Sequence, residues 1–406
     1  MPFLLISDMA EQNNNVRKAY AKLCTVAVFR GVLELPLFSH FLEYAAENGE
    51  KTQKMLKYAA FVAQIYCGGG DLTDSVRRAV FENENVYVTS LTKGHVCHEC
   101  VVASAKRDLA VLEDFAALTA ADFAADMNAE IEIAGFSSRK IDLAAEYAAR
   151  VKEIDKYGYG IFAAYGMFRL SDGEHPVLEP IRTPDDISLD SFIGYEQERG
   201  RVLANTEAFL QGRSASNVLL YGDAGTGKSS TVKAVANHFF KKGLRLIELR
   251  KDQLSLLPYV MGQIGSNPLK FIIFIDDLSF HRSDDSFSML KAALEGSASA
   301  KAPNAVIYAT SNRRHIVRET FAEREGGEVH RNDGMQEALS LSERFGLTIL
   351  FARPNQQLYL QIVRDLASKR GVTLPSKELE TKAEAFALAR GTRSARCAEQ
   401  FVESLL

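Results

Sequence analysis

The sequence predicts an α/β protein, in which a mainly α-helical N-terminal domain precedes a core with a parallel sheet and a C-terminal helical lid. Through the first 155 or so residues, apolar residues recur at the three- and four-residue spacing of helices. Beyond residue 190, short β-rich runs alternate with helical patterns, which implies crossover connections between parallel strands. A Gly-rich turn joins one of these runs to a helical segment, and the last part of the chain is helical again.

These patterns divide the chain into four expected segments. We expect a mainly helical domain at residues 1–170, a linker at 171–190, an α/β core at 191–352 and a helical lid at 353–406. The linker is expected because residues 171–190 hold three of the ten prolines and many acids, which cannot continue a helix. The core strands are predicted at 218–221, 244–249, 271–275, 306–310 and 347–351, and the lid helices at 356–368, 377–389 and 395–405.

Composition and charge exclude several classes of protein. A chain of 406 residues indicates two or three domains. The formal net charge of −4 excludes a strongly basic chain that covers nucleic acid by charge alone. The apolar runs are too short to cross a bilayer, the N-terminus lacks the basic start of a signal peptide, and five cysteines do not indicate a disulfide scaffold. We therefore expect a cytoplasmic protein without a membrane partner.

The Gly-rich turn matches a phosphate-binding loop. Residues 222–229 fit G-x-x-x-x-G-K-[ST] at every constrained position, between a predicted strand and a predicted helix. The glycines let successive backbone N–H groups face phosphates at a helix N-terminus. Lys228 is expected to reach the β- and γ-phosphates of ATP, and the Ser229 hydroxyl to ligate Mg²⁺. The predicted nucleotide-binding residues of this loop are Gly222, Asp223, Ala224, Gly225, Thr226, Gly227, Lys228, Ser229 and Ser230.

A second motif follows about fifty residues later, where the apolar run 271–275 ends in Asp276 and Asp277. A buried parallel strand presents the side chains at its C-terminal end to the ligand crevice. Asp276 is expected to hold Mg²⁺, commonly through water, and Asp277 to orient or deprotonate the attacking water. Together the two motifs predict an enzyme that hydrolyses Mg-ATP.

Further motifs follow in an order that resembles AAA+ ATPases. A predicted strand runs into Asn312, and the segments 341–346 and 391–396 come after it, in the order sensor 1, arginine finger and sensor 2. Residues 192–196, 275–280, 308–315 and 339–346 resemble more closely the bacterial AAA+ family catalogued as domain of unknown function 815. The similarity covers about residues 185–405 densely and the N-terminal part loosely. It implies a P-loop AAA+ core.

The resemblance also implies roles that spacing alone does not show. Asn312 is implied as sensor 1, whose amide helps to orient the attacking water. Arg344 is implied as the arginine finger, which stabilises transition-state charge in a neighbouring subunit's site. Arg396 is implied as sensor 2 on the lid, with Arg393 as its competitor. Two residues at the start of the core are implied to border the adenine pocket, Ile193 and Gly194.

The second acid departs from the pattern, because active ATPases of this type usually carry Glu where this sequence has Asp277. Aspartate is shorter by one methylene, so its carboxylate lies about 1 Å further back. Hydrolysis is therefore expected to be slow, to need a closed assembly, or to draw on another acid such as Glu295.

The role implied for Arg344 predicts a homo-oligomer, because an arginine finger acts in the active site of a neighbouring subunit. Head-to-tail contacts give a ring if the rotation closes, and a hexamer is the family-level expectation. Three functions remain open: a remodelling ATPase with a protein client, an ATP-dependent binding switch with slow turnover, and a loader ATPase that acts on nucleic acid. The N-terminal domain is expected to select the client, which the sequence does not identify.

Weaker signals have structural and functional interpretations. The segment 95–100 contains His95, Cys97, His98 and Cys100, which suit zinc, yet four ligands within six residues could hardly surround one ion. A turn entering a helix at Val101 is the preferred interpretation, with a redox pair as the alternative.

Two further segments have the same ambiguity. Residues 259–262 have the composition of a substrate-gripping pore loop, but a core helix over 254–264 is favoured. A basic cluster of Lys241, Lys242, Arg245, Arg250 and Lys251 is expected to be a solvated face, with a nucleic-acid patch as the alternative.

Overall fold

The computed structural model describes residues 14–173, 175–278, 289–291, 294, 302–312 and 344–406. The chain divides into two compact units, Met1–Ala164 and Tyr165–Leu406. Among the described residues, every helix is too short or too polar to span a bilayer.

The first unit is helical. Its described α-helices are α1 Asn15–Leu23, α2 Pro36–Ala46, α3 Lys51–Cys67, α4 Leu72–Glu82, α5 Val86–Thr92, α6 Glu99–Ala116, α7 Ala120–Met127, α8 Leu143–Lys152, α9 Ile154–Tyr157 and α10 Ile161–Ala164. Side-chain caps define several helix starts. For example, Thr119 and Asp122 form a reciprocal capping box at the start of α7.

Aromatic side chains form the centre of this helical unit. Phe41, on α2, packs against Phe115 with 4.6 Å between ring centroids and against Phe61 with 5.7 Å. Phe61 stacks on Phe123 at 5.3 Å. These rings are fully buried, and edge-to-face and offset contacts of this kind add to the stabilisation that burial provides. The helical periodicity of the sequence is thus explained by one shared apolar core.

The second unit is built on a seven-stranded sheet in the order β2-β1-β4-β5-β6-β3-β7. The strands are β1 Met167–Leu170, β2 Leu178–Pro180, β3 Val218–Gly222, β4 Leu244–Glu248, β5 Lys270–Ile275, β6 Ala305–Ser311 and β7 Leu347–Phe351. Every pairing is parallel except that of β1 with β2. The helices that accompany the sheet are α11 Glu196–Leu210, α12 Lys228–Phe239 and α13 Leu257–Ile264.

The described lid consists of α14 Gln356–Lys369, α15 Ser376–Arg390 and α16 Ala395–Glu403. Asn355 caps α14 and Ser394 caps α16. The three helices bury a core of their own that includes Tyr359, Ile362 and Phe401. The predicted combination of a helical N-terminal part, a core with a parallel sheet and a helical lid is confirmed.

The segment at 171–190 differs from the linker that the sequence predicts. It contributes β2, which pairs antiparallel with β1 at one edge of the sheet, so the second unit begins at Tyr165. Pro180 lies at the end of this edge strand, where the missing backbone N–H is tolerated. The prolines and acids of the segment therefore mark an edge strand and its turns.

Two of the ambiguous segments are structured as follows. Residues 259–262 lie within α13, which begins at Leu257 with Pro258 in its first turn and buries Val260 and Met261. Arg245, expected on a solvated face, is only 1% exposed on β4. Its Nη1 donates to the carbonyl oxygens of Phe240 and Leu244 at 3.0 and 2.8 Å, which compensates for burying the charge.

Candidate nucleotide-binding site

The predicted motifs meet at one edge of the sheet. In the parallel register, Tyr221 of β3 lies opposite Ser311 of β6, and Ile275 of β5 lies opposite Ala309 of β6. The residues that follow β3, β5 and β6 therefore emerge side by side at the carboxyl edge. This edge is where parallel α/β sheets bind ligands.

The phosphate loop depends on its first glycine for close packing. Gly222 has a φ of 135°, and a Cβ atom there would lie 2.1 Å from the carbonyl oxygen of Phe351 on the neighbouring strand β7. Only glycine avoids this backbone collision. The loop consequently leaves β3 in a fixed direction and leads directly into α12.

Lys228 is the first residue of α12 and is only 5% exposed. Its Nζ donates to the carbonyl oxygens of Gly222 and Asp223, at 3.0 and 2.7 Å, and to Oδ1 of Asn312 at 3.0 Å. Burial lowers the pKa of Lys228, while Asp223 and the acids that follow β5 oppose this effect. A cation is thus held within the loop, bonded to neutral oxygen acceptors that an incoming anion can replace.

Ser229 and Asp276 are in direct contact, with Ser229 Oγ donating to Asp276 Oδ1 at 2.6 Å. The Thr310 hydroxyl, near the end of β6, donates to the same carboxylate oxygen. A hydroxyl beside a carboxylate is a set of hard oxygen ligands of the kind that Mg²⁺ prefers. The two residues predicted as metal ligands therefore lie in direct contact at this edge of the sheet.

Asp277 adopts a left-handed backbone conformation, with a φ of 51°. Its N–H donates to Thr310 Oγ1 at 2.9 Å, and its Oδ1 accepts from Asn312 Nδ2 at 2.8 Å. Asn312 thus bridges Lys228 and Asp277, because its Oδ1 accepts from the lysine. Sequence reasoning missed Thr310, although a hydroxyl near the end of an apolar strand is a recognisable signal.

A cavity of about 430 Å³ lies beside the loop. Its walls include the apolar side chains of Phe192, Ile193, Ile362 and Leu366, and the loop contributes Gly225, Thr226, Gly227 and Ser230. This volume and mixed lining are typical of small-molecule sites. Gly194 does not line the cavity. At a φ of 74°, its Cα faces Leu358 of the lid.

The lid contacts the phosphate loop through the start of α16. The backbone N–H of Arg396 donates to the carbonyl oxygen of Gly225 at 3.3 Å, and Arg396 also lines the cavity. Arg393, the alternative sensor, instead binds Glu384 within the lid, with Nη2 and Oε2 at 2.6 Å. Of the two arginines, Arg396 is therefore the one beside the loop.

Arg199 is a cavity residue that the sequence did not reveal. It lies on α11, is 8% exposed, and its guanidinium carbon lies 5.2 Å from the ring centroid of Phe192. Burial lowers the pKa of Arg199, while Glu196 and Glu198 oppose this effect. An arginine within a helix carries no sequence signal that distinguishes it from a surface arginine.

Arg344 lies away from its own phosphate loop. It is partly buried, three residues before β7, the edge strand beside β3. Leu347 pairs with Val218, and the loop begins four residues further along β3, which is roughly 13 Å at about 3.3 Å per residue. Glu295, Arg313 and Arg314, the other residues considered for catalysis, lie outside the described residues.

Sequence comparison places residues 163–406 in a family described as Protein of unknown function (DUF815). No curated protein matches the chain in sequence. Similar solved structures include RuvB of Thermotoga maritima, described as a Holliday junction branch migration motor, at 14% identity and a TM-score of 0.34, covering 54% of this chain and 72% of that chain. A single-residue variant of the same RuvB is 17% identical and covers the same fractions of the two chains, also with a TM-score of 0.34. The family match takes in every described strand of the sheet and the whole described lid, so this chain belongs to the DUF815 family.

Proposed function

We propose that the chain binds and hydrolyses Mg-ATP as an oligomeric AAA+ ATPase and uses the turnover to remodel or load a macromolecular client. The observation that carries the proposal is the convergence of Lys228, Ser229, Asp276, Asp277 and Asn312 at one sheet edge. These side chains come from three strand ends, and they supply a cation, a hydroxyl, two carboxylates and an amide. Phosphoryl transfer depends mainly on positioning and on electrostatic stabilisation by such groups.

The phosphate loop and the cavity together accommodate a nucleoside triphosphate. The phosphates replace the carbonyl and amide oxygens that now accept from Lys228 Nζ. The base enters the cavity between Ile193 and Ile362. Arg396, at the start of α16, then lies where the lid meets the loop, so that the state of the phosphates can be transmitted to the lid.

Ser229 and Asp276 fit a magnesium ion, because their oxygen atoms already lie 2.6 Å apart. The ion would supply neutralisation of phosphate charge. Thr310 holds the carboxylate of Asp276 in place from the side of β6. Asp277 orients or deprotonates the attacking water, and the amide of Asn312 positions Asp277 through their 2.8 Å hydrogen bond.

Arg344 provides the argument for an oligomer. It precedes β7 at the amino edge of the sheet, whereas the phosphate loop follows β3 at the carboxyl edge. It is therefore badly placed for its own site, and a neighbouring subunit's site is the better candidate. Subunits related head to tail give such contacts, and a ring such as a hexamer closes them.

Binding and turnover are tested with Lys228→Ala, and Lys233→Ala is the matched control. Lys233 lies on the same helix but pairs with Glu248 at 3.0 Å, outside the loop. We expect Lys228→Ala to abolish binding of a fluorescent ATP analogue and ATP hydrolysis, while Lys233→Ala retains both. Retained nanomolar-to-micromolar affinity in a folded Lys228→Ala variant would contradict the proposed role of the loop.

A slow ATP-dependent switch is the second candidate function, and the contact between Asn312 and Asp277 favours it. A carboxylate engaged by an amide at 2.8 Å is less available to activate water. The two functions are distinguished by measuring ATP hydrolysis per subunit at increasing protein concentration in the presence of Mg²⁺. A steep rise indicates sites completed by neighbours, whereas ATP binding with negligible turnover at every concentration indicates a switch.

A further inference from the structure

Four cysteines of the helical unit divide into two kinds by their position on helices. Cys24 is the C-cap of α1 and Cys67 is the last residue of α3, and both are exposed. Cys100 is the second residue of α6, an 18-residue helix, and is exposed as well. Cys97 is partly exposed and lies just before the N-cap of the same helix. Cys97 and Cys100 thus lie at a helix N-terminus, whereas Cys24 and Cys67 lie at helix C-termini.

The sulfur of Cys100 is in contact with a histidine. His98, the N-cap of α6, has its Nδ1 3.0 Å from Cys100 Sγ, and the same nitrogen accepts from the Cys100 backbone N–H at 3.3 Å. Backbone N–H groups at a helix N-terminus favour negative charge, whereas the carbonyl groups at a C-terminus oppose it. The acid Glu99 shares the first turn of α6 and acts in the opposite direction. The helix end and the imidazole both favour Cys100 as a nucleophile.

Cys97 is the natural second thiol, since the spacing Cys97-x-x-Cys100 brings a pair of cysteines to one helix start. Within the described residues, no group of three His, Cys, Asp or Glu side chains is arranged to hold a metal ion. The first turn of α6 is largely exposed, and its buried residues begin at Ala105. A bond between the two sulfurs would therefore leave the aromatic core of the unit undisturbed.

We propose that Cys97 and Cys100 form a dithiol that small disulfides oxidise reversibly to an intramolecular disulfide, with Cys100 as the attacking thiol. The Cys100 thiolate attacks one sulfur of oxidised glutathione, whose S–S bond breaks and releases one glutathione thiolate. Cys97 then attacks the Cys100 sulfur and expels the second glutathione. The protein loses two electrons and two protons, and one small disulfide becomes two thiols. This inference is independent of the nucleotide site.

The first measurement compares the thiols within the folded, reduced full-length chain. Limited alkylation with iodoacetamide, followed by peptide mass spectrometry, gives a rate for each cysteine. Cys24 and Cys67 are internal controls, because they are exposed but lie at helix C-termini. We expect Cys100 to react about twofold to sixfold faster than either control. Equal or slower reaction of Cys100 would overturn its assignment as the attacking thiol.

The second measurement follows oxidation by glutathione disulfide. We expect a Cys97–Cys100 disulfide that dithiothreitol reverses. Cys97→Ser should stop the reaction at a stable glutathione adduct on Cys100, and Cys100→Ser should leave Cys97 slow to react. His98→Asn preserves a good N-cap but removes the imidazole, so it should slow Cys100 without unfolding α6. Separate glutathione adducts on Cys97 and Cys100 in the unmodified chain, without the internal disulfide, would refute the pairing.

Discussion

The backbone at Asp277 explains why the proposed ATPase site can carry an aspartate where the family resemblance implies a glutamate. Its φ of 51° lies in the left-handed region, which Asp and Asn enter far more readily than other residues with a Cβ. The conformation is held from both sides: the N–H donates to Thr310 Oγ1, and the carboxylate accepts from Asn312. We predict that Asp277→Glu impairs hydrolysis instead of restoring it.

The size of the effect has two parts. A left-handed conformation costs an ordinary residue roughly 1–2 kcal/mol, and Asp escapes part of this cost, so the Glu variant should lose about 1 kcal/mol in the free energy of unfolding. For a unit of this size, that loss lowers the Tm by about 2–4 °C. The extra methylene also moves the carboxylate by about 1 Å, and misplacement on that scale can cost up to about a hundredfold in turnover.

Asp277→Asn is the matched variant, since Asn also tolerates the left-handed region and keeps an oxygen that can accept from Asn312. It should change the unfolding free energy by less than about 0.5 kcal/mol while reducing turnover by about a hundredfold or more, because the proposed general base is lost. Phosphate release at saturating ATP and thermal unfolding measure both quantities. An Asp277→Glu variant that hydrolyses ATP faster than the unmodified chain, at an unchanged Tm, would refute this reasoning.

Three further predictions concern the lid and the strand ends. Gly225→Ala places a Cβ atom 3.1 Å from Ser394 Oγ and 3.2 Å from Arg396 Cβ, at a φ of 75°. The added atom should push the lid away from the loop and weaken ATP binding about tenfold in a binding titration. Unchanged affinity would mean that this contact does not matter for binding. Arg396→Ala should reduce hydrolysis at an unchanged Tm, whereas Arg393→Ala should lower the Tm by removing its ion pair in the lid, and the reverse pattern would exchange their roles. Thr310→Val should slow hydrolysis because it removes the hydroxyl that binds both Asp276 and Asp277. Thr310→Ser keeps a hydroxyl and should hydrolyse ATP at a rate close to that of the unmodified chain. Equal rates in both variants would assign the effect to packing.

The sequence predicted β5 well because this strand is buried along most of its length and reads as one continuous apolar run. Residues 271–275 coincide with β5 within one residue. The loop at 222–229 was equally clear, since its glycines and lysine are constrained by local geometry. Features that depend on a few consecutive residues can be predicted from the sequence without knowledge of the fold.

Features that depend on contacts between distant residues could not be read in this way. The edge strand β2 has only three residues and ends in Pro180, so its composition resembles that of a linker. Thr310 binds both acids at the end of β5, and the guanidinium of Arg199 lies over the ring of Phe192. The left-handed conformation of Asp277 likewise becomes visible only when β5 and β6 are paired.

The central claim, a site completed by a neighbouring subunit, is tested most directly by mixing two inactive variants. Lys228→Ala lacks the loop cation but keeps Arg344, and Arg344→Ala keeps an intact loop. In an equal mixture that assembles at random, about one quarter of the interfaces pair an intact loop with an intact arginine. We predict that the mixture recovers ATP hydrolysis towards about one quarter of the activity of the unmodified chain. A mixture no more active than its two components, although the subunits assemble, would contradict the account.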